Sequence, residues 1–157
     1  MSLSRLTEAI LAAAREKRPA RVPFLTAGCP SPTRFWESLK ELDENGADII
    51  EIGVPFSDPV ADGPVIAAAS HRALLDGVDL EWIFAGLAKI SLKAPIVLMS
   101  YANPLIQYAW DQVSGATLSQ KVLASLRLLA LDASRHVAGF IVPDAPLEES
   151  GPFQVAF

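Results

Sequence analysis

The chain has 157 residues, of which 51% are hydrophobic and 20% charged, so it can bury one core and is unlike a disordered segment. Its net charge of −5, without a cluster of Lys and Arg, argues against nucleic-acid binding. The sequence has no run of the roughly 18 apolar residues that a membrane span needs, and no apolar signal-peptide core. The single cysteine, Cys29, is expected to be a partly buried filler, and these features together predict one cytoplasmic domain over residues 1–157.

Helical and extended patterns alternate along the chain. The predicted elements, in chain order, are a helix at 2–17, an extended run at 22–27, a helix at 33–44, a strand at 47–53, helices at 65–75 and 80–92, a strand at 94–100, a helical region within 105–135, and a strand at 138–143. Mostly apolar strands that alternate with helices are typical of a parallel sheet covered on both faces. The sequence therefore predicts four βα units, with ligand-binding residues in the loops that follow the strands.

The end of the second predicted strand carries an acidic residue in an apolar setting. Glu51 lies between Ile50 and Ile52, and strand alternation places it on the same face as Ile49 and Gly53. If that face points into a barrel, burial disfavours the ionised carboxylate and raises its pKa toward neutrality, as a proton shuttle requires. A structural glutamate that pairs with a lysine or a backbone donor inside the sheet fits the position equally well.

Two further carboxylates, Asp58 and Asp62, follow in the loop 54–63, which is rich in Pro, Asp and Gly. Loop aspartates more often bond to their own turn than take part in chemistry. Glu51 and the loop aspartates together are a more specific signal than any one of them alone. A buried acid is followed by a second acid on a loop that Pro and Gly constrain, at the same end of the predicted sheet.

The segment EIGVPFSDPVADGP, residues 51–64, resembles the signature of tryptophan synthase α subunits. Four other blocks are similar to segments of that family and come in family order: PFLTAGCP (23–30), AAASHRA (67–73), MSYANP (99–104) and VPDAPLEES (142–150). On these motifs the chain is identified as a member of the family, of which it resembles about the N-terminal half. The resemblance implies a (β/α)8 barrel with an extra N-terminal helix, represented here by the first four βα units as a half-barrel.

The resemblance also implies an activity. The family cleaves indole-3-glycerol phosphate by a retro-aldol reaction into indole and glyceraldehyde 3-phosphate, as a lyase of tryptophan biosynthesis. This reaction needs protonation at indole C3, polarisation of the indole N–H and removal of a proton from a glycerol hydroxyl. By resemblance, Glu51 is the acid/base, and Asp62 is the carboxylate that stabilises the charged indole nitrogen. The resemblance implies no metal or cofactor for this subunit.

Further residues match binding positions of the family. The positions that line the indole pocket are Phe24, Met99, Tyr101 and Ile141, although core packing accounts equally well for Met99 and Ile141. The loop positions at the contact with the β subunit are Pro55, Asp58 and Asn103. The resemblance implies an α2β2 complex in which indole passes through a tunnel to the β subunit, where pyridoxal phosphate chemistry makes tryptophan. His71 and His136 lie outside the catalytic pattern and are expected at the surface or in packing.

Part of the family pattern is missing from these 157 residues. The family's catalytic tyrosine and phosphate-binding loops belong to the second half of the barrel, and no glycine-rich run replaces them here. The stretch between Tyr108 and Phe140 is longer than the family pattern, with residues 113–117 expected to loop out. In the tail, Phe153 and Phe157 are expected to cover the barrel. Because an open four-stranded sheet exposes an edge and an apolar face, we expect half-barrels to associate with one another or to fold poorly.

Three functions compete at this point. The first is the lyase of tryptophan biosynthesis. The second is a non-catalytic remnant that binds or activates the β subunit, which the missing phosphate loops favour. The third is another barrel enzyme that acts on a phosphorylated substrate, which the spacing of Glu51 and Asp62 within the signature disfavours.

Overall fold

The computed structural model describes residues 4–115, 117–146, 148 and 150–156. Its elements are α1 (Arg5–Arg15), β1 (Phe24–Thr26), α2 (Pro32–Glu44), β2 (Ile50–Gly53), α3 (Pro64–Leu75), α4 (Leu80–Leu87), β3 (Ile96–Met99), α5 (Ala102–Gln107), α6 (Leu118–Ala133), β4 (Gly139–Ile141) and α7 (Gly151–Ala156). The four strands form one parallel sheet in the order β1-β2-β3-β4. Four βα units are therefore present, as the sequence predicts.

In-register pairing sorts the strand residues onto two faces of the sheet. Rows of directly paired residues run Phe24–Glu51–Val97–Gly139, then Leu25–Ile52–Leu98–Phe140, then Thr26–Gly53–Met99–Ile141. Because side chains alternate along a strand, the first and third rows share one face, and the middle row lies on the other. We call the face of the first and third rows the inner face and the face of the middle row the outer face.

The hydrophobic core lies between the outer face and the helices. Ile52 and Leu98 of the middle row are fully buried, and they belong to one cluster with residues of α2, α4 and α6. Apolar residues three or four apart on these helices supply that cluster, namely Phe35 and Leu39 on α2, Ile83 and Leu87 on α4, and Leu126 and Leu129 on α6. Complete burial of each such side chain stabilises the fold by about 1.5–3 kcal/mol.

Side-chain caps decide where several of the helices begin. Ser4, Ser31, Asp79 and Thr117 each accept a hydrogen bond from a backbone N–H in the first turn of the helix that follows. Thr117 also forms a capping box with Gln120 at the start of α6. These caps satisfy backbone donors that have no partner within their own helix.

The helix predicted at 80–92 is shorter than the sequence pattern indicates, because it ends at Leu87. The carboxylate of Asp43, on α2, accepts the N–H groups of Lys93 (3.0 Å) and Ala94 (2.8 Å). This tertiary contact holds the segment directly before β3 in a non-helical conformation.

The helical region predicted within 105–135 is two helices, α5 and α6, rather than one. Ser125 is fully buried on α6, where its hydroxyl accepts the N–H of Ala109 (3.2 Å) and donates to the carbonyl of Ile106 (2.6 Å). This hydroxyl packs the end of α5 against α6 and fixes the break between them. The expected loop at 113–117 lies in the break, apart from its residue 116, which is outside the described part of the chain.

The remaining differences concern the ends of elements. All four strands are shorter than predicted, since they span only Phe24–Thr26, Ile50–Gly53, Ile96–Met99 and Gly139–Ile141. The predicted helix at 2–17 is observed at Arg5–Arg15, and residues 1–3 lie outside the described residues. Phe153 packs against the core, whereas Phe157 lies outside the described residues.

Over the described part of the chain, no helix combines the length and the apolar character that crossing a bilayer requires.

An ion pair attaches the segment after α1 to the start of β2. The guanidinium of Arg18 donates to both carboxylate oxygens of Asp48, at 2.6 and 2.8 Å, and the N–H of Arg21 donates to the same carboxylate at 2.7 Å. The side chain of Asp48 is only 13% exposed. The hydrogen bonds from Arg18 and Arg21 hold the pKa of Asp48 well below its usual range.

We therefore expect Asp48→Asn to lower the free energy of unfolding at neutral pH. A folded-state pKa below the unfolded value contributes stability that is present above the unfolded pKa and is lost as pH falls. The difference in the free energy of unfolding between the wild-type chain and the variant should thus shrink as pH falls below about 5. Urea titrations at several pH values measure this difference. Asp111→Asn, which changes an exposed aspartate, is the matched control. A gap that stays constant with pH would contradict this interpretation.

Candidate active site

Four of the residues that the sequence selected lie on the inner face of the sheet. Phe24 and Glu51 are direct neighbours in one row, and Met99 and Ile141 are neighbours in the row nearer the carboxyl ends of the strands. Phe24, Glu51 and Met99 are half-buried, whereas Ile141, on the edge strand β4, is 44% exposed. The strand pairing therefore brings the predicted acid/base and three predicted pocket residues to one surface.

Glu51 lies in an apolar part of that surface. Its neighbours in the row are Phe24 and Val97, and no described residue forms an ion pair or a hydrogen bond with its carboxyl group. Burial alone raises the pKa of Glu51. Within the described part of the chain, the carboxyl group therefore lacks the lysine or backbone partner that a structural glutamate would have.

Tyr101 attaches the loop after β2 to the carboxyl end of β3. Its hydroxyl accepts the N–H of Ala61 at 2.8 Å and forms a hydrogen bond with the carboxylate of Asp62. The tyrosine is 2% exposed, and its ring lies against that of Phe56, with centroids 5.2 Å apart. The loop aspartate is thus held by a side chain that follows a different strand, β3, rather than by its own turn.

Two opposing effects act on the ionisation of Asp62. Burial raises its pKa, and the hydrogen bond from Tyr101 lowers it by stabilising the carboxylate. Burial is the larger effect, so the net direction is upward. Among the described residues, Glu51 has no such donor. The two carboxyl groups at this end of the sheet therefore differ in how strongly hydrogen bonds stabilise their ionised forms.

The ring of Phe24 lies across Gly53 of the neighbouring strand. A Cβ atom at Gly53 would be 2.6 Å from the Cζ atom of Phe24, so the ring would have to shift to accommodate it. The absence of a side chain at this position lets the aromatic ring lie over β2, close to Glu51. Such a ring offers a flat apolar surface on which a planar aromatic ligand can stack.

The residues that match the family's contact with the β subunit lie on another part of the rim, by which we mean the loops at the carboxyl end of the sheet. Pro55 and Asn103 line one cavity of about 370 Å³, together with residues of α3, α4 and α5. Asp58 does not line this cavity, and its carboxylate accepts a hydrogen bond from the Ser57 hydroxyl within the exposed loop. The structure therefore brings two of the three partner-contact candidates together.

Sequence analysis missed a contact that Asp144 makes at the carboxyl end of β4. Its carboxylate accepts the N–H of Ala102 at 2.9 Å and so connects the loop after β4 to the start of α5. The signal for this contact was present in the sequence, since an aspartate follows Pro143 directly after a predicted strand. The bond holds α5, and with it Tyr101 at the helix N-cap, against the neighbouring loop.

The cysteine and the two histidines lie where the sequence places them. Cys29 is half-buried, burial raises the pKa of its thiol, and the thiol donates to the carbonyl of Ala69 at 3.6 Å. His71 is exposed and His136 is half-buried, in the turn that follows α6. None of the three lies on the inner face of the sheet.

A family model described as tryptophan synthase alpha chain matches residues 10–157. The chain belongs to this family. A tryptophan synthase alpha chain from Desulfovibrio desulfuricans is 56% identical over 154 residues, covering 96% of this chain and 54% of the relative. Another, from Nitratidesulfovibrio vulgaris, is 53% identical over 151 residues, covering 95% of this chain and 53% of the relative. The chain spans about half the length of the curated relatives it matches.

Solved structures of tryptophan synthase alpha chains share the fold. The subunit alpha from Legionella pneumophila superposes with a TM-score of 0.83 at 28% identity, covering 99% of this chain and 55% of its own. A tryptophan synthase from M. tuberculosis superposes with a TM-score of 0.79 at 33% identity, covering 99% of this chain and 57% of its own. These matches confirm the predicted family and the predicted fold class, a half-barrel of the (β/α)8 type with an N-terminal helix.

We predict that the side chain of Glu51 titrates with a midpoint above the value of about 4.3 that is usual for glutamate. Stability that depends on neutral Glu51 is fully present below the unfolded pKa and is lost as pH rises through the folded pKa. Glu51→Gln should therefore gain stability relative to the wild-type chain as pH rises. Carboxyl ¹³C NMR measures the midpoint, with the same chain unfolded in urea as the reference. Equal midpoints in the folded and unfolded chains would refute the prediction.

We predict that Tyr101→Phe raises the pKa of Asp62 further, because it removes the hydrogen bond that supports the carboxylate. The same NMR titration, read at the Asp62 carboxyl, measures the change. Tyr108→Phe is the control, since the Tyr108 hydroxyl donates to Asp132 at 3.0 Å and not to Asp62. A midpoint that moves equally in both variants would show that the effect does not depend on the Tyr101 bond.

Proposed function

We propose that this chain carries the acid–base residues of an indole-3-glycerol phosphate lyase, as tryptophan synthase α subunits do. The observation that carries the proposal is the pair of carboxyl groups at the carboxyl end of β2. Glu51 is unpaired among the described residues and has a raised pKa, whereas Asp62 is held by the Tyr101 hydroxyl. Membership of the tryptophan synthase alpha chain family supports the same activity.

In the proposed reaction, neutral Glu51 donates its proton to C3 of the indole ring. The ionised carboxylate of Asp62 stabilises the positive charge that develops on the indole nitrogen. The Glu51 carboxylate then takes the proton of the glycerol hydroxyl next to the ring, and the carbon–carbon bond to C3 breaks. The bonding pair returns to the ring to give indole, and the hydroxyl carbon becomes the aldehyde of glyceraldehyde 3-phosphate. Glu51 ends neutral, because it has given one proton and taken one.

The apolar residues around Glu51 suit a planar aromatic substrate. We propose that Phe24, Met99, Tyr101 and Ile141 line the indole pocket, with the ring of Phe24 as its flat surface over Gly53. Acid–base chemistry of this kind is carried by side chains and calls for no metal or organic cofactor. A cytoplasmic location fits the single free cysteine.

Two associations are part of the proposal. The first is with a tryptophan synthase β subunit, in an α2β2 complex that carries the pyridoxal phosphate, through the rim that holds Pro55, Asp58 and Asn103. The second is self-association of half-barrels through the inner face and the edge strands β1 and β4. Ile141 at 44% exposure and the half-buried Phe24 and Met99 leave apolar surface on that face, which favours association.

The proposal predicts that the purified chain releases indole from indole-3-glycerol phosphate, alone or with β subunit. Glu51→Gln should lower the rate by at least about 100-fold, because a positioned general acid/base contributes 10²–10⁴-fold. Glu44→Gln, at the exposed end of α2, is the matched control and should keep the wild-type rate. Sizing of the same preparation reports whether the active species is larger than a monomer.

Turnover that survives Glu51→Gln would remove the acid/base assignment. No turnover from a folded chain, with or without β subunit, would instead favour the non-catalytic module that binds the β subunit. That alternative has its own structural support, since Pro55 and Asn103 line the same rim cavity. A monomer in sizing that melts in one sharp transition would count against the pairing of half-barrels.

A further inference from the structure

A second cavity lies at the opposite end of the sheet from the proposed active site. Its volume is about 160 Å³, and its lining includes Ala94 and Ile96 at the start of β3 and the loop after α4. Arg5 at the start of α1 and the turn after α6 complete the lining. In barrels of this type, chemistry belongs to the carboxyl ends of the strands, so the proposed reaction makes no use of this cavity.

Among the described residues, the ionisable side chains that line this cavity are all basic. Arg5, Arg135 and His136 come from α1 and from the turn after α6, and no described acidic residue is part of the lining. Within the described part of the chain, neither arginine lies within 4.0 Å of a carboxylate. By contrast, Arg18 and Arg34 form ion pairs with acids at 2.7 Å or less. Two unpaired guanidinium groups on one cavity are unexpected in a chain of net charge −5.

The most obvious internal partner for Arg135 is already engaged. Asp132 lies one helical turn before Arg135, a spacing that commonly supports an ion pair. Its carboxylate instead accepts the hydroxyl of Tyr108 at 3.0 Å. Asp132 and Glu81 line an adjoining cavity that Arg135 also borders, yet neither pairs with it. The N–H donors of the Arg135 guanidinium are therefore available to another acceptor.

Arg5 is positioned by the backbone rather than by an acid. One of its terminal nitrogens donates to the carbonyl of Lys93 at 3.2 Å, in the loop that lines the cavity. A guanidinium has five N–H donors, and this single bond orients the group without neutralising it. The loop in turn is held by Asp43 through the N–H groups of Lys93 and Ala94.

We propose that this cavity is a binding site for a phosphate group, free or attached to a small organic molecule. Two guanidinium forks match the geometry of phosphate oxygens, and charge-assisted bonds to such oxygens are among the strongest hydrogen bonds in proteins. The Ser91 hydroxyl and the His136 imidazole, which line the same cavity, add further donors. A volume of about 160 Å³ equals that of about five water molecules in the liquid, which is enough to hold a phosphate ion.

The proposal is tested by titrating the whole 157-residue chain with inorganic phosphate at constant chloride, followed by amide NMR and calorimetry. Saturable one-to-one binding should shift the amides of residues 91–94 and 135–136. Arg135→Gln and Arg5→Gln should each weaken binding by about tenfold or more, the usual effect of losing a charged hydrogen-bond donor. Arg15→Gln removes the same charge from the last turn of α1, outside the cavity, and should leave binding unchanged. Because Arg135 is exposed at a turn, its variant should fold even if Arg5→Gln does not.

Equal loss of binding in Arg15→Gln, or acetate binding as tightly as phosphate, would overturn the proposal. So would amide shifts confined to the loop 54–63, because they would assign phosphate to the active-site end of the sheet. A parallel titration with glycerol 3-phosphate identifies the source of the phosphate group. Tighter binding than inorganic phosphate at residues 91–94 assigns the site to an organic phosphate, and equal binding assigns it to the phosphate group alone. These results are independent of indole release, so failure of the proposed lyase activity would not affect them.

Discussion

The in-register pairing of four parallel strands is the constraint on which the rest of the structure depends. Ile52 and Leu98 are paired in the middle row and are fully buried against the helices. Because strand side chains alternate, burying that row obliges Glu51 and Met99 to face the other way. A slip of one residue would exchange the two sets and place the Glu51 carboxyl in the helix-packed core. The same apolar contacts that stabilise the fold therefore orient the proposed acid/base.

The second constraint is the connection between neighbouring strands at their carboxyl ends. Tyr101 holds the loop after β2 through the N–H of Ala61 and the carboxylate of Asp62, and Asp144 holds the start of α5 from the loop after β4. As a result, Asp62 has a hydrogen-bond donor for its ionised form, whereas Glu51 has none among the described residues and its pKa is raised by burial alone. Two carboxyl groups in unlike environments can take different roles, one as a proton donor and one as a stabiliser of positive charge.

The two ends of the sheet serve different purposes. At the carboxyl end, carboxyl groups and an aromatic surface are left available to a ligand. At the amino end, Asp48 and Asp43 are used in bonds that hold the segments before β2 and β3. The basic cavity lies at this second end, so stabilising contacts and arginines without an acidic partner are found side by side there. The division agrees with the general rule that barrel chemistry and barrel stability lie at opposite ends.

Much of this molecule could be predicted from its sequence. The alternation of apolar strands and helices determined the four βα units, and the period of two along β2 placed Glu51 on the opposite face to Ile50 and Ile52. Helix ends were less predictable. An apolar pattern runs past Leu87 in the sequence, but α4 ends there, and Asp43, about fifty residues earlier, accepts the N–H groups of Lys93 and Ala94 in the non-helical segment before β3.

The sequence by itself determined which residues face the inner side and which family they belong to, because both depend on local spacing and motif. Only the tertiary structure decided that Asp62 bonds to Tyr101 and that Glu51 has no partner in the described chain. It also decided that Arg5 and Arg135, some 130 residues apart in the sequence, border one cavity. These features depend on contacts between segments distant in the chain, and sequence periodicity carries information only about neighbours within an element.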